Sequence, residues 1–466
     1  MKKSFKEIIF GISLAVLVGV VALSVKVLLI VIGIVLLISS SFLLYKGVGK
    51  INFPTFPLVY FIFFILFIYL GSFQIFFKNN MDNPKYIIAT NLGLLLFPLG
   101  VLCANFFLKY QPRKEILAYK EKSVQKPPYD FKNIVLFVIL AVIAIFISLI
   151  YLQKIPEIPL ITALQEPGEQ LEISKAREAA TALFTGKLHR YRFFFDTLLP
   201  LLSIISLVKA KVTSYYKRLW WAISIILILF TSFMLLVNMV KALVLIYTIS
   251  LFLAFFIATR KKIRLKNVIL FGILALIFLG IIYSLWAELA KKGETTGEKL
   301  SSLYLPIYNR TVLGQTKVLD WYFRIFPQEH NFLLGKSFPN PGGFLPHESF
   351  SLSRYVYDFV HPDSPIVGSM PTVFFGEIYA NFGYAIMLFS IFLMGIILQS
   401  AQVYFIRRPK TVLMVSFMVF LMIYAIHLTI TSFFQVFSIP LLILIIIIIL
   451  FRIRIIPATE NKQHEA

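Results

Sequence analysis

Apolar blocks of about 17 to 22 residues recur along the whole chain of 466 residues, and short polar turns separate most of them. A helix needs about 20 apolar residues to cross the roughly 30 Å of hydrocarbon in a bilayer. The pattern therefore predicts an all-α, polytopic membrane protein that forms a single integral membrane domain over residues 1–466. The twelve predicted transmembrane helices are residues 8–24, 27–45, 55–76, 87–108, 133–152, 194–208, 219–237, 242–258, 268–286, 373–405, 411–430 and 435–451.

Two apolar runs, 8–45 and 219–258, are too long for one crossing, and each contains a lysine near its centre. A helix of nearly 40 residues would be about twice as long as the hydrocarbon core requires. We therefore predict a tight hairpin in each run, with Lys26 or Lys241 at the membrane surface. The composition agrees with this class, because only 14% of residues are charged, against about a quarter in soluble domains.

The distribution of lysine and arginine predicts the orientation of the chain. With a cytoplasmic N-terminus, the cytoplasmic segments hold 27 Lys and Arg residues and the external segments hold 18. Fourteen of those 18 lie in two long loops, which count little in the positive-inside rule. We expect a multi-pass protein of the plasma membrane with both termini in the cytoplasm. Anchoring to anionic lipid accounts for the net charge of +23, so nucleic acid is not an expected partner.

Three segments between the predicted spans are long. Residues 153–193 and 287–372 form external loops, periplasmic or extracellular, and residues 109–132 form a basic cytoplasmic connector. Both external loops are expected to contain short helices. In the first loop, EQLEISKAREAATALFTGKL reads as a helix that Gly186 ends. The second is rich in aromatic residues, proline and glycine, which favours an ordered, packed loop.

Motifs for nucleotides and metals are absent from the sequence. It contains no GxxxxGK[ST], HExxH, CxxC or DxD, and its single cysteine, Cys103, lies inside an apolar span. These motifs would supply a phosphate loop, a zinc cage or a metal-bound nucleotide sugar. We therefore expect no metal and no cofactor, and a donor for group transfer that is carried on a lipid.

The polar residues with candidate chemistry lie mostly in the second external loop. Arginines suit diphosphate because the guanidinium stays charged and donates in a planar fork, and a histidine or carboxylate could accept a proton from a hydroxyl. The candidates there are Arg310, Arg324, His330, His347, Glu348, Arg354, His361, Asp363 and Glu377. The first loop adds Arg177, Arg190, Arg192 and Asp196.

Glu377 has two interpretations because it stands near the start of an apolar span. A charge at membrane depth costs several kcal/mol and usually faces an interior cavity. The carboxylate could act on a substrate hydroxyl. It could instead organise the preceding loop together with Tyr379 and Asn381, and we prefer this second role.

The segment PTVFFGEIYANFGYAIMLFSIFLMGI, together with many spans and two long external loops, resembles the Wzy-type O-antigen polymerases, also called oligosaccharide repeat unit polymerases. Arg324 and Gly335 also have the eleven-residue arginine-to-glycine spacing that some relatives show in their external loops. In the first loop Arg177 precedes Gly186 by nine positions, so the spacing is not met there. Lys241 occupies the place of an arginine that many relatives have at a tight external turn.

The resemblance implies a glycosyltransferase of the GT-C type that needs no metal. It would move a growing glycan from its polyprenyl-diphosphate carrier to a new lipid-linked repeat unit, making O-antigen, capsule or exopolysaccharide. Its partners would be this lipid-linked oligosaccharide, membrane lipid, a flippase and a chain-length regulator. The residues implied in binding diphosphate or glycan are Arg324, Arg310, Arg354, Lys241, Arg177, Arg192 and His361. His347, with Glu348 or Glu377, would orient or deprotonate the acceptor hydroxyl.

Two other functions remain open from the sequence. A ligase that transfers a finished glycan would use the same lipid-linked donor. A transporter would carry charged or broken helices deep in several spans, whereas the polar residues here gather outside the spans.

Overall fold

The computed structural model describes residues 25–49, 53–79, 82–125, 131–165, 170–181, 184, 187–239, 241–259, 305, 308–340, 346–348 and 350–431. Within these residues every regular element is a helix. The helices are α1 Val25–Val48, α2 Phe56–Lys78, α3 Pro84–Phe107, α4 Pro112–Glu121, α5 Phe131–Lys154, α6 Pro159–Gln165, α7 Gln170–Ala180, α8 Leu188–Val212, α9 Lys217–Val237, α10 Lys241–Ala258, α11 Gly314–Ile325, α12 Leu352–Val360, α13 Phe374–Arg407 and α14 Val412–His427.

Seven of the described helices, α1, α2, α3, α5, α8, α9 and α13, are long and apolar enough to cross a membrane, and α10 and α14 are shorter apolar helices. Each of the nine predicted spans that fall on described residues coincides with one of these helices. Their length and composition are those of a membrane-embedded protein. The predicted spans 8–24, 268–286 and 435–451 lie outside the described residues, so the number of twelve stays a prediction.

Successive long helices run in alternate directions between two ends of one bundle. The connector end holds α4 and the turns around residues 108–111 and 408–411. There the Asn105 amide donates to the Gly47 carbonyl at 2.7 Å. The loop end holds the described parts of residues 155–187 and 308–373. There the amide N–H of Phe374, at the start of α13, donates to the Leu428 carbonyl at 2.9 Å.

The predicted hairpin in residues 219–258 is confirmed. Helix α9 ends at Val237 and α10 begins at Lys241. Lys26 stands in the first turn of α1, and the residues before Val25 lie outside the described part. The predicted stop of α7 at Gly186 was wrong, because that helix already ends at Ala180. Just after it, the Thr181 amide donates to the Glu178 carbonyl at 3.2 Å, the tighter pairing common in the last turn of a helix.

Helices α3 and α13 pack with their backbones in direct contact at Gly100 and Gly395. A Cβ atom added at Gly395 would collide with the carbonyl oxygen of Phe97, and one added at Gly100 would collide with that of Phe392. Small residues at such crossings let helices in a membrane approach closely. The contact holds α13 against α3 below the loop end.

Helix α13 is interrupted at Gly383, where the backbone has φ +80° and ψ −171°. This conformation is essentially restricted to glycine, because a Cβ atom would clash with the backbone. The predicted span over 373–405 coincides with α13, and the break within it was not predicted. A short entry segment, residues 374–382, precedes the break, and nearly all of its side chains are buried.

Candidate functional site

Helix α11, in the second loop, docks onto the ends of α2 and α3 at the loop end. Helix α2 contains a π-helical turn at Ile65–Tyr69, and such turns leave backbone carbonyls without regular partners. The Thr316 hydroxyl of α11 lies 3.0 Å from the Phe67 carbonyl oxygen and 3.1 Å from that of Ile68. The distorted turn of α2 thus provides the docking point for α11.

Asp320, one turn further along α11, is an acidic side chain that is almost fully buried, with 3% of the residue exposed. Its Oδ1 accepts a hydrogen bond from Asn83 Nδ2 at 2.9 Å, and its Oδ2 accepts one from Asn79 Nδ2 at 2.7 Å. Arg324 Nε donates to the same Oδ2 at 2.9 Å. Two amides and one guanidinium therefore compensate the burial of this carboxylate.

Arg324 extends from this buried pair to the surface, with 29% of its side chain exposed. Only Nε is engaged by Asp320. The terminal nitrogen Nη2 is buried and has no hydrogen-bond partner. An arginine held by one edge presents its remaining N–H groups to a ligand, which is the geometry that recognises phosphate oxygens.

Helix α11 also packs on the entry segment of α13. The rings of Phe323 and Tyr379 are stacked with centroids 3.9 Å apart. The Tyr322 hydroxyl donates to the Met370 carbonyl at 3.1 Å. Burial, with a smaller effect from the Glu377 carboxylate, raises the pKa of Tyr322 well above its ordinary value, so this phenol stays protonated. Helix α11 thus connects Arg324 to the entry segment that carries Glu377.

Glu377 is buried in the entry segment, with 3% of the residue exposed. The Ser337 hydroxyl donates to its Oε1 at 3.0 Å, and Asn381 Nδ2 donates to its backbone carbonyl at 2.8 Å. Asn381 also accepts a bond from the Gly335 amide at 2.9 Å, and Tyr379 donates to the Phe326 carbonyl at 2.8 Å. Tyr379 and Asn381 therefore attach the loop segment 326–337 to the entry segment.

The arginines of the first loop lie at the same end of the bundle. Burial lowers the pKa of the Arg177 guanidinium, and the positive charge of Arg310 from the second loop lowers it further. The structure thus brings together one arginine from each loop. Arg192 pairs through Nε with Asp196 at 2.8 Å. This pair lines a small cavity of about 30 Å³, room for about two water molecules.

Four other predicted residues lie at the surface, where their contacts shown here are local. His347 Nδ1 lies 3.1 Å from the Glu348 carbonyl oxygen, and Glu348 is exposed. Arg354 is exposed and stands 3.6 Å from Asp358 in its own helix. His361 is exposed, with its ring 5.0 Å from that of Tyr357. Lys241 begins α10 at the loop end, and its side chain lies outside the described part.

Several polar residues of the loop end were missed by the sequence reasoning. Asp320 and Arg324 have the i, i+4 spacing of a helical ion pair, which was a visible signal. Asn79 and Asn83 carry no such signal, because their partner lies 241 and 237 positions away. Among the described residues, no group of three or more His, Cys, Asp or Glu side chains could hold a metal ion.

Comparison with known proteins gives no relative to draw on. No family model matches the chain, and neither a curated protein nor a solved structure matches it. The chemistry of the loop end therefore rests on its own geometry.

Proposed function

We propose that this protein is a Wzy-type polymerase that joins polyprenyl-diphosphate-linked oligosaccharide repeat units into a surface polysaccharide. The observation that carries the proposal is Arg324, which Asp320 holds by one edge while a buried terminal nitrogen has no partner. A diphosphate leaving group needs cationic stabilisation as charge develops on it. Arg324 supplies that charge next to the GExYxNFG entry segment.

The proposed topology places the loop end on the outer face of the plasma membrane. Twelve spans would leave both termini in the cytoplasm. The connector end carries many lysines and arginines, such as Arg113, Lys114, Arg407 and Arg408, which suits the cytoplasmic side. The lipid-linked donor and acceptor would then meet the loop end from the outer leaflet.

In the proposed reaction, a hydroxyl oxygen of the incoming repeat unit attacks the anomeric carbon of the growing glycan. The bond from this carbon to the diphosphate oxygen breaks, and the electron pair leaves on the polyprenyl diphosphate. Arg324 stabilises that charge, with Arg310 and Arg177 as further cations. Arg354, Lys241, Arg192 and His361 are left for contacts with glycan or headgroups.

The hydroxyl proton requires an acceptor, and His347 is the proposed one. Because Nδ1 faces the Glu348 carbonyl oxygen, the neutral ring carries its proton on Nδ1 and leaves Nε2 as an acceptor. His347 is partly exposed, so a sugar hydroxyl can reach it. Glu377 is assigned the organising role, since its entry segment binds residues 326–337 of the loop.

The test uses the purified full-length protein in lipid nanodiscs with a synthetic polyprenyl-diphosphate repeat unit. We expect a ladder of products that differ by one repeat unit on a gel. A single transfer to a separate acceptor, with no ladder, would indicate a ligase. Export of the intact lipid-linked unit from vesicles, again without a ladder, would indicate a transporter. Either result would overturn the polymerase assignment.

A further inference from the structure

Two buried hydrogen-bond donors beside Asp320 have no acceptor. One is Arg324 Nη2, and the other is the hydroxyl group of Tyr86. Tyr86 itself has 0% of its surface exposed. Buried polar groups are almost always hydrogen-bonded, so two unmatched donors next to one carboxylate need an explanation.

Asp320 does not provide the missing acceptor in this structure, and its two oxygen atoms already receive three donors. Asn83 binds Oδ1, while Asn79 and Arg324 Nε both bind Oδ2. A carboxylate offers about four acceptor positions. The one that remains is not used by Tyr86, although the two groups interact electrostatically.

Tyr86 is held beside this carboxylate by the first turn of α3. Asn83 caps that helix, and its side-chain oxygen accepts the Tyr86 amide at 3.3 Å. The Tyr86 ring meets the edge of Phe323 on α11, with centroids 6.4 Å apart. The N-terminal end of a helix carries partial positive charge. The place is therefore rich in donors, which favours a ligand made of acceptors.

We propose that Arg324 Nη2 and the Tyr86 hydroxyl together bind a phosphoryl oxygen of a prenyl diphosphate, with Asp320 as the positioning residue for Arg324. Phosphoryl oxygens are acceptors that bear negative charge, so they match both donors. The prenyl carrier rests on the proposed function, whereas the phosphoryl group rests on the donors alone. Arg324, which is 29% exposed, links the buried subsite to the exterior.

The experiment measures binding of farnesyl diphosphate to the purified full-length protein, with farnesol and inorganic diphosphate as further probes. We expect Tyr86→Phe to weaken farnesyl diphosphate binding about 10-fold or more, the usual effect of losing a hydrogen bond to a charged group. The protein should stay folded, because the change removes a hydroxyl that has no partner within the protein.

Tyr110→Phe is the matched control. Tyr110 is also a buried tyrosine whose hydroxyl has no partner, with 5% of the residue exposed, but it lies at the connector end. Its loss should leave farnesyl diphosphate binding unchanged. Equal binding by the Tyr86→Phe and Tyr110→Phe variants would overturn the subsite, as would farnesol binding as tightly as farnesyl diphosphate. Binding of inorganic diphosphate that Tyr86→Phe weakens would support it.

A double-mutant cycle tests the positioning role of Asp320. Asp320→Asn should weaken farnesyl diphosphate binding in the native background and have no further effect once Arg324→Ala is present, because it acts through Arg324. A simple structural role would lower binding by the same factor in both backgrounds and would overturn the assignment. The binding assay contains no acceptor, so farnesyl diphosphate binding that depends on Tyr86 can be found even if no polymerisation ladder forms. Conversely, a ladder that Tyr86→Phe does not change would support the polymerase and overturn the subsite.

Discussion

Arg324 at the loop end and Arg407 at the connector end each donate from Nε to a carboxylate oxygen at 2.9 Å. Arg407 binds both oxygens of Glu115, and its Nη2 also donates to the Leu108 carbonyl at 3.1 Å. It thereby closes the C-terminal end of α3. Arg324 uses only one edge on Asp320, and its Nη2 has no partner.

The difference between the two pairs separates a structural arginine from a candidate functional one. The pair at the connector end is partly exposed, with 43% of the Arg407 side chain and 25% of the Glu115 side chain accessible. At the loop end only 4% of the Asp320 side chain is accessible. Burying this ion pair and leaving N–H groups of the guanidinium without acceptors adds little to the stability of the fold. The arrangement therefore indicates a ligand.

The largest expected effect is on activity. Arg324→Ala should reduce formation of the polysaccharide ladder about 100-fold or more, because it removes the charge that stabilises the leaving diphosphate. Arg407→Ala is the matched control at the connector end and should leave the ladder intact at equal protein level. Equal losses in both variants would mean that the two ends do not differ in function. Arg324→Lys keeps the positive charge but removes the planar guanidinium, so its ladder shows whether the charge alone is sufficient.

The next effect is on stability. Asp320→Asn should lower the free energy of unfolding by about 3 kcal/mol, because it leaves a largely buried guanidinium without its counter-charge. Glu115→Gln breaks a more exposed pair and should cost about 1 kcal/mol or less. Thermal unfolding of the purified variants in one detergent gives the comparison. A larger loss for Glu115→Gln would contradict the assigned burial of the two pairs.

A third prediction concerns the backbone at Gly383, which lies near the loop end. Gly383→Ala should destabilise the protein by about 1 to 3 kcal/mol, because alanine cannot adopt φ +80° without strain. Gly93→Ala, in α3, is the control. Its added methyl group would meet Ile391 Cδ1 at 3.4 Å, an ordinary contact, so the change should be below about 1 kcal/mol. A matching small effect at Gly383 would argue against the break in α13.

The smallest expected effect is a pH dependence at the connector end. The hydrogen bond from Arg407 holds the pKa of Glu115 below its ordinary value of 4.5. A carboxylate with a lowered pKa stabilises the fold above its unfolded pKa, and this contribution is lost as the pH falls through the folded pKa. The difference in melting temperature between the native protein and Glu115→Gln should therefore be largest at neutral pH and shrink below 4.5. A difference that is constant with pH would exclude this contribution.

Much of the described fold could be predicted from the sequence. All nine predicted spans on described residues are helices, and the turn between α9 and α10 falls next to Lys241. The interruption at Gly383 could not be predicted, because a glycine within an apolar run is compatible with both a continuous and a broken helix. The early end of α7, at Ala180, was not predicted either.

The candidate site could be predicted only in part. Arg324 stood out by its aromatic surroundings and its charge, and the structure places it on the buried Asp320. His347, Glu348, Arg354 and His361 had similar signals in the sequence, yet they lie at the surface. Their residue types and spacing do not say which of them face the same space.

The sequence by itself determined where helices form and where polar residues concentrate, because both depend on local periodicity and on the length of apolar runs. Only the tertiary structure decided which charges are buried and what they contact. Asn79 and Asn83 reach Asp320 across more than 200 positions of the chain, through the docking of α11 on the ends of α2 and α3. The burial of Asp320 and its contacts with distant residues arise from that packing, which cannot be predicted from local sequence spacing.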